Sequence, residues 1–433
     1  MKWMAVGALL ATGAQAQAQD LGPRPVFPEM DPLRVQLGQL LFYDPILSGN
    51  RNISCGTCHH PRFGTSDGMS LSIGEGGIGL GPDRRIDPNN IPEDRLPRNA
   101  PALWNLGAQE YTSFFHDGRL EIDPDRPGGI RTPLGAEMVV GFDSVLAAQA
   151  MFPVLASDEM AGHYSENEVS QAVRLGHLSI KDGAWDKIAA RVEAIPEYRT
   201  AFDAVLGEQE PIKFTDIANV IADFTRVEWR ADDSPFDRAM MGGNPLPDDA
   251  ARGQQLFYGE AGCSNCHSGW LQTDHSFHAI AMPQIGPGKS APFETHARDD
   301  GRMRVTGDLA DQYKFLTPSL RNVSVTGPYG HNGAYASLEA VVRHHLDPIV
   351  SLHAYDPTQV LFHQIDDADD WRVVGDKDEL ARIAEANELQ PIGLSDGAVT
   401  DLVAFLHSLT DATAIKGRLG VPMKVPSGLP VDQ

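Results

Sequence analysis

Apolar residues recur along this chain at intervals of three and four much more often than in alternation. Leu33, Leu37, Leu40 and Leu41 share one helical face, and Ile217, Val220, Ile221 and Phe224 share another. Leu338, Val341 and Val342 form a third stripe, and Val399, Leu402, Val403 and Leu406 a fourth. A further helix is signalled after Ser165, which has Glu168 in capping-box position. Period-two alternation is scarce, so the spacing predicts a mainly α protein. Between the stripes, Pro23, Pro25, Pro28 and Pro32 mark an irregular start, and 232–250, rich in Asp, Gly and Pro, reads as a linker. The glycine-rich run Gly74 to Gly81 follows no strand and opens no helix, so it reads as a flexible turn rather than a nucleotide loop.

The chain also repeats itself. Gly38-x-x-Leu41-Phe42-Tyr43 returns as Gly253-x-x-Leu256-Phe257-Tyr258, and Pro101-x-Leu103-x-Asn105 returns as Pro318-x-Leu320-x-Asn322. His116-Asp117-Gly118 returns as His331-Asn332-Gly333. The period is far too long for a solenoid and reads as a duplicated domain. The expected division is 19–240 and 241–433. Before them, residues 1–18 combine Lys2, a short apolar run and small residues at Ala14-Gln15-Ala16 and Ala16-Gln17-Ala18, the pattern of a secretory signal peptide.

All four cysteines fall in Cys55-Gly56-Thr57-Cys58-His59 and Cys263-Ser264-Asn265-Cys266-His267. A C-x-x-C-H run lets two thiols form thioethers with the vinyl groups of a haem while the next imidazole binds the iron. A zinc site made of two C-x-x-C pairs would be satisfied by cysteines alone and gives no reason for either histidine. A thioredoxin-like pair would occur once, near a βαβ pattern; a pair of disulfides is the third alternative. Two covalently held c-type haems are therefore expected. With 433 residues, 42% of them hydrophobic, the chain has material for two cores. A net charge of −24 argues against nucleic acid and anionic membranes and favours a basic protein partner. No segment after the leader is apolar for a membrane-spanning length. Because c-haem attachment takes place outside the cytoplasm, the periplasm is the expected destination.

Together with these motifs, Phe115-His116-Asp117-Gly118-Arg119, Gly135-Ala136-Glu137-Met138, Thr317-Pro318-Ser319-Leu320-Arg321-Asn322, Thr326-Gly327-Pro328-Tyr329 and His331-Asn332-Gly333 carry a family likeness. From about Leu37 to Leu346 the chain resembles the bacterial dihaem cytochrome c peroxidases and their MauG-type relatives. The resemblance implies two cytochrome c-like haem domains packed against each other. The N-terminal haem would react with hydrogen peroxide, and the C-terminal haem would relay electrons. It also implies a calcium ion between the domains, held by the Asn99 side chain and the Thr326 and Pro328 carbonyls; oxygen ligands suit that ion. A homodimer is a further expectation, since family members commonly dimerise.

Conventional members close the peroxide-reacting iron with a histidine in the loop after the first motif. Between His60 and His116 this sequence has none, so the iron ligated by His59 is expected to be open or water-bound on its far face. His60, next to the proximal ligand, cannot easily reach that face and reads as a surface or propionate contact. For the second iron, His267 is proximal, and the family's distal slot, methionine in ordinary peroxidases and tyrosine in MauG, falls on His345. His345 also continues the stripe of Leu338, Val341 and Val342; His344 and Met303 are its competitors.

Glu137 matches the family's catalytic glutamate, expected to move a proton between the two oxygens of peroxide; its alternative is a solvent-exposed carboxylate at a helix start. The glutamine that assists it in the family has no counterpart between Arg126 and Arg131. His116 stands where the best-known members have a tryptophan between the haems, a poorer radical carrier that can hydrogen-bond propionates. Trp104 and Tyr111 lie nearby in sequence and are otherwise core residues. Two imidazoles hold the second iron at a lower potential than imidazole plus thioether, which favours an enzyme active when fully ferric. Three functions compete. The first is a peroxidase fed by a small periplasmic cytochrome c or cupredoxin, and the second a MauG-like enzyme that oxidises a tryptophan or tyrosine on a partner protein. The third is a dihaem electron carrier.

Overall fold

Five helices organise the chain: α1 (Pro32–Phe42), α2 (Phe214–Glu228), α3 (Asp248–Tyr258), α4 (Leu338–Leu346) and α5 (Asp396–Ser408). The computed structural model describes residues 21–433 apart from 93–94, 291–293, 364 and 366–367. The signal-peptide reading of 1–18 therefore lies outside the described residues. Helix starts follow local chemistry. Asp31 accepts from the Leu33 amide with Pro32 in the first turn, Ser337 accepts from Ala340 N, and Ser395 accepts from Ala398 N. The longest strand among the described residues, Leu120–Ile122, has three residues, so the fold is mainly helical. None of the helices among the described residues is long and apolar enough to cross a membrane.

The sequence repeat is a repeat of packing. A Cβ on Gly38 of α1 would stand 1.8 Å from the Val220 carbonyl oxygen of α2 and 2.9 Å from Phe224 Cβ. On Gly253 of α3 it would stand 1.8 Å from the Asp401 carbonyl oxygen of α5 and 2.9 Å from Phe405 Cβ. Glycine is needed at both because two helix backbones meet there. The aromatic contacts repeat as well. Phe42 lies 5.1 Å from Tyr43 and 5.3 Å from Phe224; Phe257 lies 5.1 Å from Tyr258 and 5.0 Å from Phe405. Asn105 and Asn322 both take left-handed backbone, φ 61° and 60°. Their side-chain oxygens accept from Ala231 N and Asp411 N. Each pair of helices sits in its own core. One core includes Leu41, Ile53, Phe202, Ile217 and Phe224, and the other Phe236, Phe257, Leu338, Leu402 and Phe405.

Several local expectations change. Leu33 is 54% exposed, and Val35 takes its place on the buried face of α1. The helix expected after Ser165 runs from Glu168 to Arg174 and is capped by Asn167, whose side chain accepts from Val169 N and Ser170 N. The 232–250 stretch is not a loose linker, because Ser234 caps a helix, Pro235–Met240, that buries Phe236 completely. The glycine-rich turn is pinned rather than flexible: the Arg84 guanidinium donates to the carbonyls of Ile73, Gly74 and Gly79 at 2.6, 2.7 and 2.8 Å. The chain ends cross between the halves. Leu21 joins the second core, while Ala414 and Val425 join the first, an exchange that a cut after residue 240 does not express.

Buried charge ties the halves together. Arg98 grips Asp299 through two hydrogen bonds of 2.6 and 2.8 Å and stands 2.8 Å from the Asp117 carboxylate. In return, Arg302 donates to the carbonyls of Asp117 and Gly118 and pairs with Glu121 at 2.7 Å.

Candidate dihaem site

The first attachment motif is a single helical turn, Cys55–Cys58. Ser54 and Thr57 cap it reciprocally, and His59 swings out at its end with non-helical backbone. His59 Nδ1 donates to the Thr65 carbonyl at 3.0 Å. That bond fixes the proton on Nδ1 and leaves the Nε2 lone pair for a metal. The second motif uses the same device: His267 Nδ1 donates to the Gln272 carbonyl at 3.1 Å. In both halves the accepting residue has left-handed backbone, φ 65° at Thr65 and 54° at Gln272, which turns its carbonyl back towards the ring. Burial holds His59 and His267 neutral, pushing the latter down to about 4. The four cysteines are free of disulfides, and burial raises the Cys55 and Cys58 thiols to about 12.

Opposite His267 stands His345, its ring centroid 6.5 Å away at an interplanar angle of 59°. Two imidazole centroids stand roughly 6 Å apart when each nitrogen lies about 2 Å from a metal between them, so the pair fits an iron held from both sides. His345 Nδ1 donates to Val341 O one turn back in α4, at 2.8 Å, which again leaves Nε2 free. His344 has no free nitrogen. Its Nδ1 accepts from the Tyr335 hydroxyl at 2.9 Å, and its Nε2 donates to Ile280 O at 2.8 Å. Met303 opens a separate short turn, Met303–Thr306. Cys266, Asp274 and His278 come close enough to hold a metal ion, but a thioether at Cys266 removes its thiolate from that set.

The carboxylate expected beside the first haem is exposed to solvent. Glu137 ends an exposed turn, Gly135–Glu137. Glu159 instead lies part-buried on the π-type turn Ser157–Ala161, within electrostatic reach of Cys58, Arg119 and Lys289. Burial raises its pKa, with Lys289 and Arg119 partly opposing. π-type turns of this kind occur often at functional sites. The sequence did carry a signal, because Glu159-Met160 is a second Glu-Met pair and follows the apolar run Pro153-Val154-Leu155. Gln149 lies just upstream at the end of the helix Val145–Ala150. Arg126 and Arg131 make ion pairs with Asp123 and Glu121 on the neighbouring hairpin.

His116 lies in the seam between the halves and donates from Nε2 to the Asn99 carbonyl at 3.1 Å. Burial and the Arg98 charge push its pKa down to about 4, so it is neutral. Asn99 N donates to the carbonyl of His331, the repeat mate of His116, at 2.9 Å. The His331 ring stacks on Phe315 at 3.7 Å. Trp104 is a core residue against Trp229, at 5.8 Å, while Tyr111 packs edge-on to His275 at 4.8 Å. His60 is buried rather than on the surface; its Nδ1 accepts from the Arg62 amide. Of the residues expected at calcium, Asn99 spends its side-chain amide on Met69 O at 2.6 Å. Among the described residues, Asn99 Oδ1 and the Thr326 and Pro328 carbonyls accept no hydrogen bond, and three such oxygens are a chemically fitting set for that ion.

Residues 32–245 match the family model described as di-haem cytochrome c peroxidase. MauG, the methylamine utilization protein of Methylorubrum extorquens, is 31% identical over 93% of this chain and 88% of its own length. The cytochrome c551 peroxidase of Nitrosomonas europaea is 30% identical over 78% of this chain and 80% of its own. Among solved structures, a MauG-like protein associated with microbial copper homeostasis superposes with a TM-score of 0.60, at 25% identity, over 93% of this chain and 97% of its own. The dihaem peroxidase BthA from Burkholderia thailandensis shares the fold, with a TM-score of 0.59 at 22% identity over 90% of this chain and 88% of its own. Read with two C-x-x-C-H turns of matched geometry, these likenesses make the chain a haem c-containing oxidoreductase of the dihaem cytochrome c peroxidase and MauG family.

Proposed function

We propose that the protein is a periplasmic hydrogen peroxide reductase that works from its fully oxidised state and draws electrons from a small cytochrome c or cupredoxin. The observation that carries this reading is the facing pair His267 and His345, both with Nδ1 committed to backbone carbonyls. Such a pair would hold a second haem, which would supply a centre suited to passing charge. At the first motif, Cys55, Cys58 and His59 would hold a haem, and that group would supply the centre for peroxide reduction. Glu159, in place of Glu137, would be the carboxylate that accepts and returns a proton of peroxide. Its raised pKa makes it readier to take up a proton than an exposed carboxylate. His116 and His331 stand uncharged in the seam between the two sites. Asn99, Thr326 and Pro328 supply oxygen ligands for a calcium ion that steadies the seam.

Electron paramagnetic resonance of the resting ferric holoprotein tests the reading; one high-spin and one low-spin signal are expected. Two low-spin signals would defeat it, because a side chain would then occupy the first iron. The 31% identity to MauG over nearly the whole chain supports a second reading, oxidation of a tryptophan or tyrosine on a partner protein. Brisk turnover with a reduced small donor favours the first reading. Slow turnover together with a mass change in a partner favours the second.

A further inference from the structure

After α5 the chain leaves the second half and returns to the first. Asp411 accepts from the Asp232 and Asp233 amides at 3.1 and 3.0 Å, and Glu228 accepts from the Arg418, Leu419 and Gly420 amides at 2.9, 2.7 and 2.8 Å. These bonds steer the tail across the seam. Val425 is then buried in the first core, and Leu429 and Val431 pack against that core. Ser427 Oγ donates to Asp44 Oδ1 at 2.6 Å, and the Tyr198 hydroxyl donates to the other oxygen of this buried carboxylate at 2.6 Å. Packing and hydrogen bonds thus anchor the tail just before residue 432.

Asp432 meets the first attachment turn. Thr57, the residue between Gly56 and Cys58, is fully buried, and its hydroxyl donates to Asp432 Oδ2 at 2.6 Å. A hydroxyl has one proton, so with that proton committed its lone pairs are left to accept. Thr57 Oγ1 accepts from the Ser54 amide at 3.0 Å, the bond that caps the Cys55–Cys58 turn. Asp432 therefore fixes the hydroxyl in the orientation that the cap needs, through a bond strengthened by its charge. The same contact brings a negative charge to the residue next to a thioether position. That charge is felt at Cys58 and at His60, on either side of His59. Asp67, Glu159 and Arg84 also act on Cys58, and all three belong to the first half. Of these charges, Asp432 alone is carried by the tail.

We propose that Asp432 is a positioning residue for the first haem: acting through Thr57, it holds the attachment turn and biases that haem towards its oxidised form. The inference rests on the assignment of haem c to Cys55, Cys58 and His59, and needs neither an open iron nor peroxide chemistry. A carboxylate stabilises the more positive, ferric form, so removing its charge makes adding an electron more favourable. Asp432 is part-exposed, which calls for an effective dielectric of about 40. With a separation on the order of 10 Å, the charge then changes the equilibrium by roughly fourfold.

The experiment is spectroelectrochemical titration of the holoprotein carrying Asp432→Asn, Asp432→Glu, Thr57→Val, or Thr57→Val together with Asp432→Asn, with the haem on each motif first confirmed by mass spectrometry. In the Asn variant the reduced-to-oxidised ratio of the first haem at fixed potential should rise about fourfold, roughly 36 mV for a one-electron couple. The second haem should be unchanged, and Asp432→Glu should titrate as the native protein does. Thr57→Val releases the carboxylate to solvent, so it should shift the first haem in the same direction. The double variant should shift it no further than Asp432→Asn alone, because two residues acting along one route do not add. An unchanged first-haem ratio in the Asn variant, equal shifts at both haems, or additive shifts in the double variant would overturn the proposal. A native protein without haem on Cys55 and Cys58 would overturn it together with the assignment beneath it. Since the readout is potential rather than turnover, failure of the peroxide reading leaves these outcomes unaffected.

Discussion

At the scale of single residues, the arrangement separates groups that hold a cofactor from groups that handle protons. Glu159→Gln keeps the side chain's size and removes its acid function, so the reaction of the ferric protein with one equivalent of peroxide should slow by about 10²–10⁴ with resting spectra unchanged. Glu137→Gln, on an exposed turn, should leave the rate within about twofold. Stopped-flow absorbance at both haems distinguishes them, and equal effects would remove Glu159 from its role. The two Glu-Met pairs lie close together in sequence, and exposure is what separates them: Glu137 is exposed and Glu159 part-buried. His345 continues an apolar stripe with a period that fixes its direction, and its ring faces His267 at 6.5 Å. His345→Met should raise the reduction potential of the second haem and leave the first unchanged; a lower potential would show that another group closes that iron.

At the scale of elements, the crossing glycines made the duplication readable, since a helix that meets another backbone at one residue tolerates no side chain there. Gly253→Ala would drive a methyl into Asp401 O, 1.8 Å from the added carbon. Overpacking of this kind costs about 1–3 kcal/mol. Gly397→Ala, in the first turn of α5, meets nothing nearer than Ser395 Oγ at 3.9 Å, so it should be neutral or stabilise by about 0.4–1 kcal/mol. Urea unfolding of both variants measures the contrast, and a Gly253→Ala protein as stable as wild type would mean that α3 and α5 do not cross as described. Contacts between distant parts of the chain could not be read this way. Asp432 accepts from Thr57 Oγ1 at 2.6 Å, Ser427 Oγ donates to Asp44 at 2.6 Å, and Glu228 collects the amides of Arg418, Leu419 and Gly420. The C-terminal tail therefore closes over the first half and reaches its attachment motif. No periodicity records a pairing across so much intervening chain, so the sequence pattern alone places each end with the half it adjoins.

For the whole molecule, the seam between the halves makes stability depend on pH in a direction that can be worked out group by group. His116 and His331 in the seam and His344 inside the second half are buried, and their pKa values are depressed to about 4, 3 and 3. An unfolded histidine titrates near about 6.5. The unfolded chain therefore binds more protons than the folded one below that value, and stability falls as pH drops from about 6.5 towards 4. The carboxylates act lower. Burial alone would raise Asp117 and Asp299, but the Arg98 charge outweighs it, bringing Asp117 down to about 2 and Asp299 well below the usual carboxylate range. Their contribution is complete above the unfolded value of about 3.9 and is lost as pH falls through the folded values, so a second, steeper decline belongs between about 4 and 2. His278 works in the other direction, since Asp274 and Glu388 raise its pKa against the pull of burial. It is 29% exposed, however, so solvent screening leaves it a small term. Denaturant unfolding of the holoprotein at stepped pH should then show stability highest near neutrality and falling first between pH 6.5 and 4. Asp299→Asn should lower it by about 3–5 kcal/mol at pH 7 by leaving Arg98 buried without its strongest partner, and should flatten the decline below pH 4. A stability profile flat from pH 7 to 4.5 would mean that the three histidines are not held neutral, and that the seam is wetter than its hydrogen bonds imply.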